Sequence, residues 1–183
     1  MIQIDKSWSL FLDRDGVINV ERNNDYVYNP SQFKFDTGVL ETLEICNSLF
    51  ARILVVTNQR GIGRGLMSHQ NLSDVHNYML EKIVSQKGRI DKIYYAPDIN
   101  DDAVNRKPNI GMALQAKEDF PTINFSKSIM VGNNLSDMEF GKRMNMKTVF
   151  VNTTQEQSDA HEFIDYSIPD LSYLPTILQL TSH

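Results

Sequence analysis

A single cysteine, Cys46, in 183 residues excludes an internal disulfide and a multi-cysteine zinc site. A reducing compartment suits such a chain, and cytoplasmic residence is expected. Apolar runs are short: none reaches the roughly 18 residues that a membrane span requires, and no basic stretch precedes an apolar core at the N-terminus. Neither membrane insertion nor export is expected. Basic residues are outnumbered, 18 against 23 acidic for a formal net charge of -5, and no Lys/Arg block marks a nucleic-acid face. Any anion binding must be local. Repeats, low-complexity tracts and linkers rich in Gly, Ser or Pro are also missing, so residues 1–183 read as one domain. A chain of this length buries roughly 70% of its unfolded surface, enough for a core without cross-links.

Short apolar runs of strand character lie at residues 9–12, 52–57, 92–95, 128–131 and 148–151. Helical spacing separates most of them: Val39, Leu40, Leu43, Leu49; Leu72, Val75, Tyr78, Met79, Ile83; Met112, Leu114, Ala116; Leu135, Met138, Phe140. This alternation implies an α/β fold, a three-layer, Rossmann-like parallel sheet with helices on both faces and right-handed crossovers. Thr37-Gly38, Ser68 and Asn134 or Ser136 suit helix starts, and Gly88 suits a helix end. From about Thr153 onward the pattern weakens. With Pro169, Pro175 and a polar stretch over 155–159, the tail reads as irregular chain covering the sheet's edge with Phe163, Ile164, Tyr166, Leu171, Tyr173 and Leu174.

The first strand runs straight into Asp13-Arg14-Asp15-Gly16. Open α/β sheets place ligands at the carboxyl ends of their strands, so these two carboxylates stand where chemistry is done. A calcium loop is excluded because its fifth and sixth positions would be Val17 and Ile18. The second strand ends in Thr57-Asn58-Gln59-Arg60-Gly61-Ile62-Gly63-Arg64-Gly65, a hydroxyl followed by amides that glycines free to hold phosphoryl oxygens. It is neither a P-loop, which needs Gly-Lys-Ser/Thr, nor a dinucleotide fingerprint, whose last glycine would fall at Leu66. Arg106-Lys107-Pro108 offers a lysine ahead of a helix that can offset phosphate and aspartate charge. The fourth strand ends in Gly132-Asn133-Asn134-Leu135-Ser136-Asp137, where Asn133 and Asp137 could face the same crevice.

In this order the four motifs resemble the haloacid dehalogenase superfamily of phosphohydrolases. The phrases Phe11 to Asn19, Asp25-Tyr26-Val27, Thr57-Asn58-Gln59, Arg64-Gly65 and Arg106-Lys107-Pro108 are similar to one branch of it. That branch holds D-glycero-D-manno-heptose-1,7-bisphosphate 7-phosphatases and histidinol-phosphate phosphatase domains. The resemblance covers roughly residues 8–152 and leans toward the heptose enzymes through Asp25-Tyr26-Val27 and Arg64-Gly65.

The resemblance implies a magnesium-dependent phosphomonoesterase working through an aspartyl-phosphate. It assigns Asp13 as nucleophile, Asp15 as acid and base, and Thr57 and Lys107 as phosphate-side catalytic groups. Asn58, Gln59, Arg64 and Arg106 would bind substrate; Asp13, Asp15, Asn133 and Asp137 would serve magnesium. The substrate would be a small sugar phosphate, the protein a monomer, and specificity would come from loops, since the spacing of Asp15 and Thr57 excludes a large cap domain. Histidinol phosphate, or phospho-ligand binding with weakened catalysis, are the alternative functions. Two departures stand out. The branch's zinc-loop positions read Ala96-Pro97-Asp98 and Ala103-Val104-Asn105, too few ligands for zinc, so none is expected and hydrogen bonds should hold a shorter loop. The aspartate that usually opens the fourth motif is Asn133, which keeps an oxygen donor but loses a charge.

Overall fold

The computed structural model describes residues 1–23, 25–153 and 161–181; the polar stretch 155–159 lies outside them. Strand β1 (Ile2–Ile4) comes first, followed by β2 (Ser9–Leu12), α1 (Val39–Leu49), β3 (Arg52–Asn58), the single turn α2 (Arg60–Gly63) and α3 (His69–Ser85). Then come β4 (Lys92–Ala96), α4 (Gly111–Asp119), β5 (Ser128–Gly132), α5 (Leu135–Arg143), β6 (Lys147–Val151), β7 (Tyr166–Ile168) and β8 (Leu178–Leu180). The main sheet runs β4-β3-β2-β5-β6-β7 and every pairing in it is parallel.

Strand β2 shows why three layers form. Its four residues are all buried, and successive side chains leave opposite faces. Leu10 and Leu12 join the core formed with Val39, Leu43, Val75 and Met79 of α1 and α3. Phe11, between them, enters the other core, with Met112 and Ala116 of α4 and Met138 and Phe140 of α5. Each core seals one face, so the sheet is apolar on both sides, as parallel sheets require.

The chain leaves β2 for β3 and β4 on one flank, then returns to build β5, β6 and β7 on the other. That reversal puts a crevice at the carboxyl end of β2. Register sharpens the placement: Leu12 lies opposite both Val55 and Val131, so Asp13, Thr57 and Asn133 leave the sheet within two residues of one line. The Asp13 amide extends the ladder by donating to the Val131 carbonyl at 2.9 Å.

Most expected elements appear within a residue or two of their limits. Ser68 caps α3 and Asn134 caps α5, each in a reciprocal capping box, and α1 starts after Gly38 at φ 69°. Gly88 closes the end of α3 as expected, its amide returning to the Ile83 carbonyl at 2.9 Å, while Lys87 at φ 61° takes the left-handed position. The tail is more regular than its sequence suggests. Strand β7 extends the main sheet beside β6, and β8 pairs with β1 in a separate parallel pair. Three-residue strands are too short to show a period, and only their partners create them. Of the tail's apolar residues Ile164, Leu171 and Leu174 are buried, but Tyr173 is about half exposed at 48% and covers little.

Candidate active site

The floor of the crevice is a buried ionic cluster. Lys107 Nζ lies 2.9 Å from Asp13 Oδ1, 2.7 Å from Asp137 Oδ1 and 2.7 Å from the Val56 carbonyl. Three acceptors thus use the ammonium's three donors. Asn58 fixes the lysine from behind: its carboxamide donates to the Lys107 carbonyl at 3.1 Å and accepts from the Lys107 amide at 3.0 Å. Burial would strip the lysine of its charge, but Asp13 and Asp137 outweigh it and raise its proton affinity. Asp13 is itself pushed up to about 7, by burial first, with Asp137 and Asp15 adding to it against the pull of Lys107. One lysine shared between two carboxylates leaves the cluster short of positive charge.

Asp15 sits in a different environment. The Arg14 Nη2 donates to both its oxygens at 2.8 and 2.9 Å, Asn19 Nδ2 donates at 3.0 Å and Gln59 Nε2 at 2.8 Å. Burial pulls its proton affinity up, yet the Arg14 guanidinium and these hydrogen bonds prevail and hold it below the usual carboxylate range. Arg14 is in turn set by His76, whose Nε2 lies 3.2 Å from Nη1. That ring is kept neutral, pushed down to about 3 by burial first and then by Arg14, so its nitrogen can accept a hydrogen bond from the guanidinium.

Asn133 and Asp137 flank the same floor. Asp137 spends one oxygen on Lys107 and the other on the Asn134 amide at 3.1 Å, inside the capping box of α5. Asn133 Nδ2 donates to Glu21 Oε2 at 2.8 Å, joining residues 112 positions apart. Gly16, at φ 79°, is required here: any side chain would collide with the Asn133 carboxamide.

Above the floor opens a cavity of about 600 Å³, in the range of small-molecule sites. Asp13, Asp15, Thr57, Asn133 and Asp137 line its lower part, and the exposed Glu21 with Arg22, Arg60, Arg64 and Arg106 its mouth. Asp101 bridges Arg60 and Arg106 at 2.6 and 3.0 Å, Asp25 holds Arg22 at 2.7 Å, and Arg64 reaches the Tyr26 hydroxyl at 3.3 Å.

Most residues singled out in the sequence therefore meet at one place: Asp13, Asp15, Thr57, Asn58, Arg64, Arg106, Lys107, Asn133 and Asp137 all line this cavity. Gln59 does not. It is buried, bonded to Asp15 and to the Thr57 hydroxyl at 3.0 Å, and its geometry offers support from below in place of substrate contact. Lys107 stands ahead of a helix as its sequence suggests, in a turn that precedes α4 at Gly111. Sequence reasoning missed Arg14, Asn19, His76 and Asp101, while Glu21 and Arg60 open the loops 21–28 and 60–65 from which specificity is expected. A cation between two aspartates was a usable signal for Arg14; His76, 62 positions away, gave none.

Across residues 101–115, where no zinc is expected, polar side chains tie the turn together. Asn109 Nδ2 donates to the Asp101 and Ala103 carbonyls at 2.9 and 3.0 Å, and Gln115 Nε2 to Asn105 Oδ1 at 2.8 Å. Among the described residues, no three His, Cys, Asp or Glu side chains converge as a metal cage, and no helix is long and apolar enough to cross a membrane. A hard cation here would need amide or main-chain oxygens beside Asp13.

Known proteins converge on the same assignment. Residues 10–173 match the family model described as polynucleotide kinase 3 phosphatase. A Campylobacter jejuni D-glycero-alpha-D-manno-heptose-1,7-bisphosphate 7-phosphatase is 38% identical over 158 residues, spanning 84% of this chain and 88% of the relative. A Haemophilus influenzae D-glycero-beta-D-manno-heptose-1,7-bisphosphate 7-phosphatase is 33% identical over 180 residues, 93% and 96% of the two chains. In fold, the chain is similar to a D,D-heptose 1,7-bisphosphate phosphatase from B. bronchiseptica complexed with magnesium and phosphate. The TM-score is 0.81 at 24% identity, covering 90% of this chain and 94% of that one. By its family match and these relatives, the chain belongs to the polynucleotide kinase 3 phosphatase family, among the haloacid dehalogenase-like phosphatases.

Proposed function

We propose that this chain hydrolyses a sugar phosphate through an aspartyl-phosphate on Asp13, and that its substrate is D-glycero-D-manno-heptose 1,7-bisphosphate, cleaved at the 7-position. The observation that carries the reading is the buried Asp13–Lys107–Asp137 cluster beneath an arginine-lined mouth. The names of the relatives support the substrate.

The charge pattern supports a divalent cation at the floor. Among the described residues, Asp13, Asp15 and Asp137 share two cations there, Lys107 and the Arg14 behind Asp15. The Asp13 carboxylate, the Asp15 main-chain carbonyl and the Asn133 carboxamide oxygen are hard donors of the kind magnesium takes. The B. bronchiseptica relative, complexed with magnesium and phosphate, favours the same cation. Magnesium bound there would offset phosphoryl charge and hold phosphorus near the nucleophile. Asp137, with both oxygens committed inside the protein, serves by positioning Lys107.

Asp13 Oδ attacks phosphorus, and the ester P–O bond breaks as the new one forms. Asp15 gives its proton to the leaving alkoxide. It is held ionised before substrate arrives; a phosphate dianion beside it raises its proton affinity as like charges do, and the proton it passes on is taken up from solvent as substrate binds. In the second step Asp15 takes a proton from the water that attacks the aspartyl-phosphate, and inorganic phosphate departs. The Thr57 hydroxyl and neighbouring amides hold the phosphoryl oxygens, while Lys107 balances Asp13 and phosphate together.

At the mouth, among the described residues, four arginines face three acids, Glu21, Asp25 and Asp101. That surplus suits a second phosphate and disfavours the ammonium of histidinol phosphate. A phosphate-release screen with magnesium titrated tests the reading. The bisphosphate should give the highest kcat/KM, and preference for histidinol phosphate, or no release from any sugar phosphate, would overturn it. Monomeric, cytoplasmic operation without nucleic acid or membrane completes the proposal.

A further inference from the structure

The Glu21–Asn133 pair carries an inference that rests on the magnesium-dependent reading and deepens it. An asparagine side chain presents a donor and an acceptor of similar shape, and its environment decides which end points where. Ionised carboxylates only accept. Glu21 Oε2, 2.8 Å from Asn133, therefore selects the nitrogen end of the carboxamide and turns Oδ1 to the opposite side. Gly16 packs against the nitrogen end, where the left-handed turn after Asp15 leaves room for no side chain. Asn133 itself is nearly buried, at 5% exposure, so little rotation is open to it. Both residues line the cavity that holds Asp13 and Asp15.

We infer that Glu21 and Asn133 act as one unit of the cation site: Glu21 orients the Asn133 carboxamide oxygen toward a divalent cation and supplies a negative charge beside it. Glu21 is a positioning residue here, acting through the amide it holds. An aspartate at 133 would instead set two carboxylates within hydrogen-bond distance, a like-charge contact tolerable only with a cation or proton between them. The two positions are thus coupled: a glutamate at 21 suits an amide at 133.

The coupling is read by magnesium affinity, measured by calorimetry on the full chain without substrate, and by melting temperature with and without magnesium. Glu21 is exposed, so Glu21→Gln should keep the fold, yet it should weaken magnesium about tenfold or more, as loss of a group orienting a ligand does. Asn133→Asp alone should lower the metal-free melting temperature by about 3 °C or more and recover it with magnesium. The double variant Glu21→Gln/Asn133→Asp should lose that penalty and bind magnesium more tightly than Glu21→Gln alone. Unchanged affinity in Glu21→Gln while the parent binds magnesium would overturn the inference and leave the phosphatase reading intact. Additive single effects, with no recovery in the double variant, would also overturn it. A parent chain that binds no magnesium would overturn the metal-dependent reading and this inference together.

Discussion

The floor and the mouth of the crevice are built from the same kinds of charge and used in opposite ways. At the floor, Lys107, Asp13, Asp137 and Arg14 come from strand ends, a strapped turn and the first turn of α5, and their partners answer them at 2.7 to 2.9 Å. At the mouth, Arg60 and Arg106 share Asp101, whose side chain is 83% exposed. Buried pairs contribute rigidity at a large desolvation cost, and breaking one by removing a partner costs several kcal/mol. Exposed pairs are each worth about 0–1 kcal/mol and are readily exchanged. The floor is thus preorganised for one reaction, while the mouth can trade its acids for a substrate's phosphate.

The sharpest way to break this contrast is at the nucleophile. Asp13→Asn should lower turnover by on the order of 10⁴-fold or more while the chain stays folded. Normal phosphate release by that variant would remove the covalent route and the special status of the floor.

A smaller effect should appear in stability against pH, through the support behind Asp15. An unfolded histidine titrates near 6.5, whereas His76 in the fold is depressed to about 3. Between those limits the unfolded chain binds a proton that the native chain refuses. The stabilisation is therefore complete above about 6.5 and drains as pH falls toward 3, by at most about 1.4 kcal/mol per pH unit. His76→Gln keeps an acceptor for Arg14 but cannot titrate, so urea unfolding across that window should show a flatter pH slope. Parallel slopes in parent and variant would mean that His76 is not held neutral.

The mouth should give the smallest structural response. Arg60→Ala removes one exposed pair and should leave stability within about 0.5 kcal/mol. In the same variant KM for the bisphosphate should rise several-fold, with a lesser change for a monophosphate, since one cation facing the second phosphate is lost. Equal changes for both substrates would place Arg60 outside second-phosphate recognition, and a large loss of stability would erase the distinction between the two regions.

Much of this molecule was legible in advance. The five longer strands of the main sheet announce themselves as apolar runs, because a strand buried on both faces is apolar at most of its positions, as β2 is from Leu10 to Leu12. Ser68 and Asn134 mark their helices because a cap needs only a local side-chain acceptor. Strands β1, β7 and β8 were not legible, since three residues carry no period and their pairing depends on an edge supplied from far along the chain. The same limit applied to Gln59, which its neighbours made look like a loop residue and which the fold buries under Asp15.

By itself, then, the sequence determined the order of strands and helices, the motifs at four strand ends and hence the class of chemistry, because periodicity, capping and strand-end position are local properties. Only the tertiary structure decided that Asp13 and Asp137 share one lysine, that Arg14 is set by His76, and that Glu21 holds Asn133. These contacts join residues as many as 112 positions apart. Their proton affinities follow from burial and from neighbours that meet only when the sheet is assembled, and no spacing along the chain encodes that meeting directly.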